Sequence, residues 1–66
     1  MVGDHNADML KERLPDDGSE ISFSAWQADC IQWNEMTPGV FMTLSNSLLE
    51  LGKVERGKKG TVWLVS

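Results

Sequence analysis

With 66 residues and a formal charge of −4, the chain makes one small domain, near the lower limit at which an apolar core outweighs chain entropy. A hydrophobic share of 41% beside 24% charged residues, with three Trp and two Phe, argues against a disordered chain. The single cysteine, Cys30, excludes an internal disulfide, and no run reaches the roughly 18 apolar residues of a membrane span.

A small domain without a disulfide fits a reducing compartment. The first 20 residues are too polar and acidic for a signal or transit peptide. The expectation is therefore a cytoplasmic protein without a membrane partner. The net charge hides an asymmetry. Residues 1–36 carry eight acids against Lys11 and Arg13, a net of −6, whereas residues 37–66 carry Glu50 and Glu55 against Lys53, Arg56, Lys58 and Lys59, a net of +2. The groups that could attract a polyanion sit at one end of the chain.

In chain order, the first helix is expected over residues 4–14, with Asp4 as N-cap and Ala7, Leu10 and Leu14 on one face. Pro15 and the turn-rich "PDDGSE" end it. Residues 20–23 alternate Ile21 and Phe23 with polar neighbours, a short strand. Ser24 is then expected to cap a second helix over 24–33, with Trp26, Cys30 and Trp33 facing the core. Thr37 followed by Pro38 is a cap with a first-turn proline, so a third helix covers 37–51. Its buried stripe is expected to be Phe41, Leu44, Leu48 and Leu51, and Gly52 supplies the left-handed residue that ends it. Two strands follow, 53–56 and 61–65, joined by a turn at 57–60. With Lys58 and Lys59 as a two-residue loop, Arg56 faces Thr61, Glu55 faces Val62 and Val54 faces Trp63. Val54, Trp63 and Val65 then face the helices, and Val62 and Leu64 face outward.

The stretch "TPGVFMTLSNSLLELGKVERGKKGTVW", preceded by "RLPDDGSEISFSAWQ", resembles the winged helix-turn-helix family over nearly the whole chain. The matching positions are Thr37, Phe41, Leu44, Leu48, Gly52, Val54 and Arg56. The resemblance implies an α+β fold in the order helix, strand, helix, helix, strand, wing, strand. It also implies a double-stranded DNA partner, with the third helix in the major groove and the wing on phosphate. Domains of this kind occur in bacterial, phage and plasmid regulators and at the ends of replication proteins.

On that reading Thr37 and Gly39 open the helix, and Met42, Thr43, Asn46 and Ser47 line its outer face with Glu50. Thr43, Asn46 and Ser47 suit base edges and Met42 suits a thymine methyl. No Arg or Lys lies between residues 37 and 52, so the cations come from the wing as Arg56, Lys58 and Lys59. About three phosphate contacts give a log–log salt slope of about −3, weak enough that a homodimer or tandem attachment is expected. The alternative is a protein-interaction module, docking through its acidic N-terminal half or through exposed Met42, Val62 and Leu64.

Other residue types point to bland roles. The Trp residues are expected in the core, because a domain this small needs large side chains to bury. His5 has no companion at ligand spacing, and Cys30 has no nearby His to activate it. Asp16, Asp17 and Glu20 read as a solvated loop. With no catalytic triad, phosphate-binding glycine loop or metal motif, neither a cofactor nor an enzymatic activity is expected.

Overall fold

The computed structural model describes residues 6–65. It is a small α+β arrangement of α1 (Ala7–Lys11), β1 (Ile21–Ser22), α2 (Phe23–Asn34), α3 (Pro38–Glu50), β2 (Val54–Arg56) and β3 (Thr61–Leu64). The three strands form one antiparallel sheet in the order β1-β3-β2.

Three rings hold the elements together. Phe23, Trp26 and Phe41 meet edge to face, with centroids 5.5, 5.7 and 5.1 Å apart, the geometry that ring quadrupoles favour. The Trp26 indole N–H donates to the Leu10 carbonyl at 2.9 Å, so the one polar atom of this buried ring is satisfied. Leu10, Leu14, Cys30, Met36, Leu48, Val54 and Val62 complete the core.

α1 is shorter than its apolar spacing suggests. Asn6 is its cap and accepts from the Met9 N–H at 3.3 Å; Asp4 lies outside the described residues. After Lys11 the chain tightens into Arg13 N–H to Leu10 O and Leu14 N–H to Lys11 O bonds of 3.2 and 3.1 Å. These i to i−3 bonds, just before Pro15, still carry Leu14 into the core.

The expected strand at 20–23 and cap at Ser24 both shift. Ser22 caps α2, accepting from the Ala25 N–H at 3.4 Å. Phe23 is thus the first helical residue, placed one turn before Trp26. Its N–H, which has no intrahelical acceptor, donates to Gly60 O at 2.8 Å and so continues the pairing of β1 with β3.

Trp33 is not core: it is 65% exposed. Its ring is approached by the Arg13 guanidinium, 5.8 Å from the centroid. Glu35 then turns the chain in the left-handed region at φ 52°, and Met36 is the side chain buried at that end.

α3 begins at its Thr37–Pro38 signal, with the Thr37 hydroxyl accepting from the Val40 N–H at 3.2 Å. Its buried line is Phe41, Ser45 and Leu48, with Leu44 only partly buried. Leu51, expected at the end of the stripe, is 69% exposed. It is the C-cap, and the chain leaves the helix there. Gly52, at φ 73°, gives its N–H to Leu49 O, and Lys53 gives its N–H to Leu48 O. That paired closure is a Schellman motif.

The hairpin register is one residue away from the expected one. Val54 pairs with Leu64, Glu55 with Trp63 and Arg56 with Val62. Gly57 donates to Thr61 O, so the loop is Lys58-Lys59-Gly60 with Gly60 at φ 77°. A two-residue loop would force both lysines (type I′) or the first of them (type II′) to positive φ, whereas the three-residue loop puts only a glycine there. The slip exchanges the two faces of β3 and leaves Val54 of β2 inside. Val62 is fully buried and Leu64 packs on the core, while Trp63 lies half-buried on the opposite face.

Candidate functional site

The outer face of α3 is polar and solvent-facing. Gly39, Met42, Thr43, Asn46 and Glu50 are exposed, Ser47 is half-buried, and Thr37 is exposed at the cap. These positions recur at i, i+3 and i+4, so burying Phe41, Ser45 and Leu48 leaves them on the far side. Their free valences differ. The Thr43 hydroxyl donates to Gly39 O at 3.1 Å and the Ser47 hydroxyl donates to Thr43 O at 3.2 Å. Each has given its only proton to the helix backbone and presents lone pairs outward. The Asn46 side chain has no hydrogen-bond partner among the described residues, so its whole carboxamide is available.

The basic turn is built differently. Gly57 is closely enclosed: a Cβ there would lie 2.6 Å from Thr61 Oγ1, 3.1 Å from Trp63 Cζ3 and 3.3 Å from Glu20 Oε1. Lys58 and Lys59 are exposed, with no ion-pair or hydrogen-bond partner among the described residues. Glu20 accepts from the Thr61 hydroxyl at 2.6 Å, which places one carboxylate beside the turn. Arg56 stands apart from the lysines. Its pairing with Val62 directs it to the inner side of the sheet, and its guanidinium sits 4.0 Å above the Phe23 ring. That stacking orients a flat cation at the N-terminal end of α2.

The sequence-expected residues therefore form two groups, one along α3 and one at the hairpin, with Arg56 tied to α2. Lys11 is engaged with Asp8 at 3.4 Å, and Arg13 with Trp33. The large apolar side chains most exposed are Trp33, Leu51, Met42 and Val40. Of those, only Met42 was expected outside. Val62 and Leu64, expected there with it, are inside.

Cys30 is fully buried, and loss of solvent pushes its thiol up to about 11, which keeps it protonated and unreactive at neutral pH. Among the described residues there is no pocket and no cluster of three His, Cys, Asp or Glu side chains able to hold a metal; His5 lies outside them. No helix among the described residues is long and apolar enough to cross a membrane. The chain matches no protein-family model, no curated protein and no solved structure.

Proposed function

We propose that the chain is a winged helix-turn-helix module that binds double-stranded DNA, with α3 in the major groove and the β2–β3 turn as the wing on phosphate. It acts as a small regulator of transcription or replication rather than as an enzyme. The helix and strand order supports this, as does a sheet in which β3 lies between β1 and β2. The observation that carries the reading is where three exposed polar side chains without protein partners fall. Asn46, Lys58 and Lys59 are exposed and unpartnered among the described residues, and they lie on the two elements that such a module turns toward a duplex.

An amide-shift titration of the folded protein with a short duplex at low salt tests it. Shifts are expected over residues 39–47 and 56–60. Absence of any shift with the protein folded refutes DNA binding.

A second reading, docking of a protein partner, is favoured by the exposure of Trp33 and Leu51 next to an acidic first half. The same titration separates the two. A chain that docks a protein through Trp33 and Leu51 leaves residues 39–47 and 56–60 unmoved by duplex.

A further inference from the structure

We infer that α3 selects adenine–thymine over guanine–cytosine pairs through the major groove, an inference that rests on the DNA-binding reading above. The reason is the direction of hydrogen bonding on the helix face. A hydroxyl has one proton. Thr43 and Ser47 have each given theirs to a backbone carbonyl one turn earlier, at 3.1 and 3.2 Å. While those bonds hold, both oxygens accept toward a ligand rather than donate. Glu50, one turn beyond Asn46, is also acceptor-only when ionised.

Guanine presents N7 and O6 in the major groove, two acceptors that require donors, normally from Arg or Lys. Residues 37–52 contain neither. On the face made by Met42, Thr43, Asn46, Ser47 and Glu50 only Asn46 can donate, and its carboxamide carries a donor and an acceptor side by side. That pair matches adenine, whose N7 accepts and whose N6 amino group donates. The outward lone pairs of Thr43 and Ser47 suit a second amino group. Met42, 43% exposed and one turn before Asn46, offers a methyl group to the thymine methyl. Cytosine N4 could meet one of the hydroxyl oxygens, but its partner guanine would still face the acceptor-rich surface with two unpaired acceptors, which costs binding.

The test compares three duplexes of equal length by fluorescence anisotropy at low salt: alternating dA–dT, dG–dC and dI–dC. Inosine–cytosine shows the groups of guanine–cytosine in the major groove, but lacks the guanine amino group in the minor groove, as adenine–thymine does. Binding to dA–dT is expected to be about tenfold tighter than to dG–dC, with dI–dC behaving like dG–dC. Asn46→Ala is expected to bring dA–dT binding to the dG–dC level. Because Asn46 is exposed, the variant's unchanged circular dichroism shows that the fold is retained. Thr43→Val, which keeps the shape and removes the acceptor, is expected to lower dA–dT binding more than dG–dC binding.

If dI–dC follows dA–dT, the protein reads the minor groove or its width, and the inference is overturned. Equal binding to all three duplexes overturns it as well, but leaves DNA binding intact. No binding to any of them removes the DNA-binding reading and the inference together.

Discussion

Replacing Lys58 and Lys59 with Gln should flatten the salt dependence of duplex binding, with the loss of affinity largest at low salt. Both side chains are exposed and unpartnered among the described residues, and the turn conformation is carried by Gly57 and Gly60. The double variant therefore removes charge without dismantling the hairpin. Log affinity falls with log salt at about 0.9 per phosphate neutralised. Arg56, Lys58 and Lys59 together give a slope of about −2.7, which is roughly a 40-fold loss between about 50 and 200 mM salt. With Arg56 alone the slope drops to about −0.9, a loss of roughly three- to fourfold over the same range. Anisotropy titrations of a labelled duplex across that range measure both slopes. A slope unchanged in the double variant would refute the reasoning, since the phosphate contacts would then lie elsewhere.

Three further outcomes follow from the core and the turns. Trp26→Phe removes the indole donor to Leu10 O and leaves a void beside Phe23 and Phe41, so urea denaturation should show a loss of about 2 kcal/mol; a loss below about 0.5 kcal/mol would mean the ring is not packed as described. Gly60→Ala meets no heavy atom within 4 Å but must hold φ near 77°, so it should cost about 1 kcal/mol from backbone strain alone; a variant as stable as the parent would argue for a different turn. Cys30 has a folded pKa of about 11, above its ordinary value of 9.0, because burial disfavours the thiolate. Its contribution is fully present below about pH 9 and is lost as pH rises toward 11, with stability falling by about 1.4 kcal/mol per pH unit in that window. Cys30→Ala should flatten that fall, and an unflattened pH–stability curve would count against the burial.

The elements that could be read from the sequence are those specified by local chemistry. Thr37–Pro38 and Gly52 bracket α3 because a cap hydroxyl, a missing amide proton and a left-handed glycine each have one favourable place in a helix. The outer face of α3 was legible for the same reason, since burying Phe41 and Leu48 fixes the direction in which Met42, Thr43 and Asn46 point. What local pattern could not fix was where a stripe stops being covered. Trp33 lies seven residues after Trp26, on nearly the same side of α2, but the side chain opposite it is Arg13, and the core at that end is closed by Met36. Leu51 likewise continues the spacing of α3 past the point where Val54 takes over the core. The hairpin register did carry a signal. Lys58-Lys59 is a poor pair for a primed two-residue turn, and Gly60 immediately after them is the residue a three-residue loop needs. The stacking of Arg56 on Phe23 had none, because it depends on that register and on Phe23 being helical rather than extended.

The distribution of charge sets how such a module could work. An acidic chain is repelled by a duplex at long range, and with no cation on α3 the attraction comes from the hairpin and Arg56 alone. The Glu20 carboxylate is held by Thr61 next to Gly57, at the base of the same turn, so even that attraction is tempered. On the proposed reading, neutral contacts of Asn46, Thr43 and Met42 would add discrimination between base pairs but little counterion release. A single copy should therefore bind weakly and dissociate readily with salt. Joining two copies, by dimerisation or on one polypeptide, makes the second contact intramolecular. Effective concentrations in the millimolar range then raise affinity by factors of about 10² or more without any change to the residues of either copy. An affinity that rises steeply with copy number, with a salt slope that grows with each added set of Arg56, Lys58 and Lys59, is the behaviour expected of a reader whose helix recognises without attracting.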